Sequence, residues 1–288
     1  MYSWLSLPPG VIPDMIVYMD ILYVVTYAVL GACFGSFAGA TAWRLHECRD
    51  FVSDRSECEY CHHKLSAWDL VPVLSWLLLL GRCRYCKKPI GWSAIAVEVL
   101  SGLAFVASYM VWPYGFGGAL ELAVFVFWLI ALVFMSILFV YDMRWKLLPN
   151  VVMLPLIVIG LFIFVGRQVI VGAPVVSWPI ELGLAMLPIT GFYGLLYMVS
   201  DKKWVGLGDV KLGVFMGLVL PWSYGLAALF LANLLGTVFV LPRLLRGRSK
   251  SSSHIAFGPF LIVATVVVFL WGSFLINTYA EMAGLSNF

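Results

Sequence analysis

The sequence predicts an all-α polytopic membrane protein of about eight transmembrane helices, with a small cytoplasmic zinc-binding loop domain between helices 1 and 2. Three observations predict it. Of 288 residues, 62% are hydrophobic and only 11% are charged, where a globular domain is about half apolar and about a quarter charged. Several uncharged stretches reach or approach the roughly 20 residues that cross a hydrocarbon core of about 30 Å. The basic residues are sorted into particular connections rather than scattered. A soluble enzyme of this size could not cover so much apolar surface with so few charges. Disorder is excluded too, because the chain is rich in the residues that disordered segments lack. The net charge of +3 argues against a nucleic-acid partner.

The uncharged stretches run over 21–43, 99–120, 122–140, 151–166, 182–200, 212–242 and 255–280. The first starts too late and runs too long for a cleaved signal peptide, so it reads as a retained helix. The stretch 212–242 is long for one span and short for two, and Pro221-Trp222-Ser223-Tyr224 supplies a break at which a helix should end. Charge decides the count. With the N-terminus outside and 212–242 divided into a short sixth helix and a full seventh, the inner side carries Arg44, Arg49, Arg55, Lys64, Arg82, Arg84, Lys87, Lys88, Arg144 and Lys146. It also carries Lys202, Lys203, Lys211, Arg243, Arg246, Arg248 and Lys250, leaving only Arg167 of the 18 basic residues outside. A single span there would send the last four outside, against the positive-inside rule. Eight helices with both termini outside are therefore expected, and the short sixth must be buried by its neighbours. The organisation reads as a first helix with its N-terminal segment (1–43), a polar cytoplasmic region (44–91) and a membrane domain (92–288).

The polar region holds Cys58-x2-Cys61 and Cys83-x2-Cys86, separated by 21 residues. Each Cys-x-x-Cys places two thiolates on one tight turn, and two such turns complete a tetrahedral site about 2.3 Å from a zinc ion. Basic neighbours would offset the charge of four sulfurs. Two disulfides or a redox pair are the alternatives; a cytoplasmic location disfavours the first, and duplication of the motif disfavours the second. Four sulfur ligands would make a closed, structural site. Cys33 reads as a small apolar residue of the first span and Cys48 as a spare thiol, while His62 and His63 are weaker candidate ligands.

Few acids lie within or against the membrane: Glu98, Glu121, Asp142, Glu181 and Asp209. Ionisable groups there are costly and are functional candidates by default. Glu121 and Glu181 fall at outer ends and read as solvated. Asp142 directly follows an apolar helix, and Asp209 ends Gly206-Leu207-Gly208-Asp209 just before the short sixth helix. Both fall at cytoplasmic helix ends, at similar depth. Two carboxylates sharing a site cannot both ionise easily, so one keeps its proton. Such a pair can activate water and protonate a leaving amide nitrogen. Glycines beside Asp209 would admit an extended backbone. The alternative is that each Asp pairs with a nearby base: Arg144 or Lys146 for Asp142, Lys211 for Asp209.

In these residues the chain resembles the bacterial type IV prepilin peptidases, the bifunctional leader peptidase/N-methyltransferases, which are intramembrane aspartic proteases of the GxGD type. The matching segments occur in order: Gly35-Ser36-Phe37 and Arg44-Leu45; the cysteine pairs with Val71-Pro72-Val73-Leu74-Ser75-Trp76 between them; Val97-Glu98; Asp142 with Leu147-Leu148-Pro149; Gly206-Leu207-Gly208-Asp209-Val210-Lys211-Leu212; and Phe257-Gly258-Pro259-Phe260-Leu261. The resemblance implies a prepilin or pseudopilin substrate, held by its apolar helix in the same bilayer and cut after a glycine that ends a short basic leader. The pathway would be type IV pilus assembly or type II secretion, at the bacterial inner membrane. Asp142 and Asp209 would be the catalytic pair, supported by Gly206, Gly208 and Lys211, with no metal in the cleavage. N-methylation of the new N-terminal residue would use S-adenosylmethionine, with the 44–91 region associated with that step. Glu98 is the candidate for the methyl-transfer site, where a carboxylate could grip or deprotonate the new α-ammonium; otherwise it is a helix-start acid favoured by the helix dipole.

The chain departs from the family pattern at Gly39, where Asn is typical, at Ser93-Ala94-Ile95, at Glu59 after the first cysteine, and at Asn150 after Leu148-Pro149. These departures leave a peptidase that lacks methylation as an alternative. A proton-coupled transporter is the non-enzyme rival, but it predicts acids nearer mid-membrane and paired broken helices.

Overall fold

The computed structural model describes residues 11–50, 55–201, 204–245 and 256–282, with the side chains of 11–19 and 242–245 left aside. Lys202, Lys203, Arg246, Arg248 and Lys250, and the side chain of Arg243, lie outside the described residues. The described elements are helical: α1 Val11–His46, α2 Leu74–Leu78, α3 Trp92–Met110, α4 Ala119–Trp145, α5 Asn150–Ile170, α6 Trp178–Met186, α7 Phe192–Val199, α8 Leu207–Val219, α9 Trp222–Leu245 and α10 Gly258–Met282. Among them, seven helical segments are long and apolar enough to cross a membrane, with α6 and α7 joined as one segment, Val175–Val199, through a π-helical turn at Leu187–Gly191.

The stretch 212–242 divides at Pro221 as expected, into the 13-residue α8 and the full-length α9. At 1.5 Å per residue α8 is about 20 Å long, too short to span alone. It is accordingly enclosed, with Leu212, Phe215 and Met216 wholly buried. The second span differs from its sequence reading. The expected stretch 99–120 is realised as α3 Trp92–Met110. The helix starts earlier because Glu98 is satisfied by a backbone amide and need not stay outside. It ends before Trp112-Pro113, since the residue preceding a proline disfavours helix.

The chain packs as two compact units. One comprises residues 1–37 and 55–110, the other 38–54 and 111–288, so α1 contributes to both. In the first unit Gly31 and Gly35 lie one turn apart on α1, against α3. A β-carbon on Gly31 would stand 2.6 Å from the Ser101 carbonyl oxygen, and one on Gly35 2.8 Å from the Glu98 Cα. Small residues at this spacing let two helix backbones touch, which is how helices gain packing energy in lipid.

In the second unit α4, α5, α8, α9 and α10 form the core, centred on Trp128 stacked 3.8 Å from Phe269. Glu181 corrects its sequence reading as a solvated outer acid. Its carboxylate accepts hydrogen bonds from Gln168 Nε2 at 2.6 Å and from Arg167 Nη2 at 3.3 Å. Arg167 is only 3% exposed, and its Nη1 also donates to the Val219 carbonyl, 3.4 Å away at the end of α8. A buried cation needs a counter-charge, and the acid is drawn in to supply it.

Candidate active site and metal centre

Asp142 sits in the last turn of α4 and is 5% exposed. Lys146 then turns left-handed (φ 56°) and ends the helix, donating its amide hydrogen to the Asp142 carbonyl at 2.8 Å. Asp209 is the third residue of α8, whose cap is Gly206. The Gly206 amide donates to Asp209 Oδ2 at 3.4 Å, so the carboxylate folds back over the helix start, where the dipole favours negative charge.

The link between these helices is the α4–α5 connection. A β-carbon on Gly208 would stand 2.9 Å from Leu148 Cβ, while one on Gly258, the first residue of α10, would stand 2.6 Å from Asp142 Oδ2 and 3.5 Å from Leu148 Cδ2. Leu148 is thus wedged between the starts of α8 and α10, and Lys211 Nζ donates to Asn150 Oδ1 at 2.7 Å beside it. This packing brings the two carboxylates within electrostatic reach of each other. Oδ2 of Asp142 is buried, with the Gly258 backbone against the carboxylate, and Lys211 is directed to Asn150. The site also contains Tyr193, 3% exposed on α7 and close enough to feel the charge of Asp209, whose hydroxyl accepts a hydrogen bond from Asn233 Nδ2 at 3.3 Å.

The four cysteines converge. One sulfur from each of Cys58, Cys61, Cys83 and Cys86 lies within 4.8 Å of the others, and Cys58 Sγ and Cys86 Sγ are 3.9 Å apart, far beyond the roughly 2.05 Å of a disulfide. The two turns are built alike. Cys58 donates its amide hydrogen to the His63 carbonyl at 3.0 Å and Cys83 to that of Lys88 at 2.9 Å. His62 and Lys87 return theirs to the Cys58 and Cys83 carbonyls at 2.9 and 3.1 Å. Both returning residues have positive φ. This donor set could hold a metal ion. The histidines are employed elsewhere, His62 with Glu57 at 3.2 Å and His63 against the Tyr85 ring at 3.7 Å. Burial pushes the Cys58 thiol up to about 11. Burial acts the same way on Cys83, but the amides of Cys86 and Tyr85 and the adjoining thiols bring it down to about 7.

Residues 29–112 match the family described as Bacterial Peptidase A24 N-terminal domain, and residues 129–241 the one described as Type IV leader peptidase family. The chain is similar to the prepilin leader peptidase/N-methyltransferase of Aeromonas hydrophila (33% identity, 81% of this chain, 76% of the relative). It is also similar to that of Xanthomonas campestris pv. campestris (35%, 77% and 74%) and that of Stutzerimonas stutzeri (28%, 91% and 96%). The chain belongs to the type IV leader peptidase family. No solved structure matches it. Its apolar helices and its relatives make it a multi-pass membrane protein.

In this type IV leader peptidase family member, Glu98 is not at a helix start. It lies in the second turn of α3, and its Oε2 accepts the Val73 amide hydrogen at 2.7 Å. Val73 has φ 61° and ψ −51°, and Leu74 donates to the Pro72 carbonyl at 2.6 Å, a γ-turn that a β-branched residue rarely adopts. The Glu98 carboxylate holds that turn. Sequence reasoning placed Gly258 in a matching segment without giving it a role, and it missed one feature of the membrane site and one beside the cysteines. Tyr193 carries no local signal, although a lone Asn233 within an apolar helix could have pointed to it. Asp69 is the second: it accepts hydrogen bonds from Arg84 Nε (2.6 Å), Tyr85 Oη (3.1 Å), Ser66 Oγ (2.8 Å) and the Ser66 amide (3.1 Å).

Proposed function

We propose that the chain is an intramembrane aspartic endopeptidase that removes the short basic leader from prepilins or pseudopilins at the cytoplasmic face of the bacterial inner membrane, and then N-methylates the new N-terminal residue. The observation that supports the reading is that Asp142, buried against the Gly258 backbone, lies within electrostatic reach of Asp209. A carboxylate oxygen so placed is suited to hold a water molecule. In the proposed step the ionised carboxylate takes a proton from that water as its oxygen attacks the scissile carbonyl carbon. The other carboxylic acid gives its proton to the departing amide nitrogen as the carbon–nitrogen bond breaks. Asp209 follows the exposed cap Gly206, where an extended substrate backbone could approach, while the missing side chain of Gly208 makes room for Leu148. The chemistry requires no metal.

The cysteine site fits zinc, since four thiolates on two tight turns match its tetrahedral preference and leave no open position, as in structural sites. It would hold the connection together. The orientation with this connection inside rests on the distribution of basic residues. For methylation, S-adenosylmethionine would supply the methyl group. The residue proposed to grip the new α-ammonium is Glu98, whose carboxylate is anchored through one oxygen and so keeps a second oxygen and its charge for a cation. Cleavage without methylation is the second reading, favoured by Gly39, which stands where the resemblance leads one to expect Asn.

The test is incubation of the purified chain in detergent with a prepilin, with and without S-adenosylmethionine, read by mass spectrometry. Loss of the leader mass is expected, followed by gain of one methyl group only with the donor. An intact prepilin would overturn the peptidase reading, and a cleaved but unmethylated product would decide for the second.

A further inference from the structure

The connection between α1 and α3 is the polar part of the chain, yet it presents an apolar ridge. Trp68, Leu74, Leu77, Leu78, Leu80 and Trp92 are all exposed, Leu78 and Leu80 by 82% and 83%. Leu74, Leu77 and Leu78 stand at i, i+3 and i+4 of α2, so they share one face of that turn. Its other side is occupied: the Trp76 ring lies 4.7 Å from that of Trp92, and a β-carbon on Gly81 would meet Trp76 at 2.7 Å. Trp92 is the first residue of α3, one of the helices apolar enough to span. Tryptophan concentrates at the level where a span meets the headgroups, so the Trp76–Trp92 contact sets α2 at that same depth.

We propose that α2 and its flanks form an interfacial foot that lies on the lipid bilayer, with Leu74, Leu77, Leu78 and Leu80 among the upper acyl chains and the exposed Arg82 and Lys87 at anionic headgroups. The bilayer is the occupant that continuity selects, because the ridge runs within one compact unit directly into a membrane-spanning helix. A ridge of leucines flanked by tryptophan and cations has the composition of a segment lying in the interface plane. In water it would be a patch of the kind soluble surfaces avoid. The metal-binding turns would thereby be held flat against the membrane, whichever reaction the chain performs.

The test uses the full chain in nanodiscs of phosphatidylethanolamine and phosphatidylglycerol, without substrate. A fluorescent amino acid is placed by amber suppression at Leu78 or, for reference, at Glu59, so that the native cysteines stay unlabelled. Brominated lipid should quench the probe at 78 about three-fold more than the probe at 59, and aqueous iodide the reverse. Adding Leu74→Glu with Leu77→Glu should bring lipid quenching at 78 down to the reference level while bound metal is unchanged. Iodide quenching at 78 equal to that at 59 would overturn the proposal. So would shielding at 78 that arises only once a prepilin is added, which would assign the ridge to a protein helix.

Discussion

Gly258 and Asp142 are in such close apposition that any β-carbon on the glycine would stand 2.6 Å from the aspartate Oδ2. The start of α10 is therefore one wall of the carboxylate's pocket. Gly258→Ala should displace the Asp142 carboxylate and lower the cleavage rate by about 100-fold, the scale on which small misplacements act. Cleavage kinetics in detergent measure this, with thermal stability and bound metal as controls. An unchanged rate would show that α10 does not set the carboxylate.

Asp142→Asn and Asp209→Asn should each abolish leader removal, by about 10⁴-fold if one proton-transfer partner is lost. Each variant should still bind metal at the cysteines, which lie in the other compact unit. Mass spectrometry of a prepilin reads the first outcome. Cleavage surviving in either variant would remove that aspartate from the catalytic pair.

Cys58→Ser should release the metal ion, because it leaves three thiolates where a closed site needs four. Elemental analysis of the purified variant checks this. A chelator strong enough to strip the wild-type ion should destabilise the 55–91 region to proteolysis while leaving the aspartate site folded.

Asp69→Asn should destabilise that same region by about 1.5–3 kcal/mol, the worth of a hydrogen bond to a charged group. Burial alone would raise the Asp69 carboxyl, but the Arg84, Ser66 and Tyr85 donors hold it at about 2, below its ordinary 3.8. A depressed carboxyl contributes fully above its unfolded value and loses that contribution as pH falls through the folded one. The difference between wild type and variant in denaturant midpoint should therefore be flat from pH 5 to 8 and vanish only between about pH 4 and 2. A difference that varied across pH 5–8 would contradict the assignment.

Arg167→Met should cost about 1–3 kcal/mol, since it leaves the Val219 carbonyl without a donor and the partly exposed Glu181 with only Gln168. Adding Glu181→Gln should recover part of the loss. Thermal unfolding in detergent of the two singles and the double measures the coupling. Additive losses would mean that the pair does not act as a unit.

Periodicity and charge made most of the fold legible. The break at Pro221, the enclosed short helix and the cysteine pairs were all readable from local composition, because a bilayer leaves the chain few alternatives. Glu98 and Glu181 show where such reading stops. The sequence offers Glu98 as a methyl-transfer candidate or a helix-start acid and Glu181 as solvated, yet Glu98 is held by Val73, 25 positions away, and Glu181 by Arg167. Whether an acid is solvated or paired depends on what packs against it, which a single segment does not contain.

By itself the sequence determined that this protein lives in a membrane, where most of its spans lie, the second excepted, and which residue types could bind metal or activate water, because these follow from residue chemistry and spacing along one helix or one turn. Only the tertiary structure decided that Leu148 is wedged between Gly208 and Gly258, so that Asp142 and Asp209, 67 positions apart, come within reach of each other. It also decided that Lys211 turns to Asn150. The physical reason is that a catalytic pair is a relation between helices. Close packing of side chains and absent β-carbons sets that relation, and neither is visible until the helices are assembled.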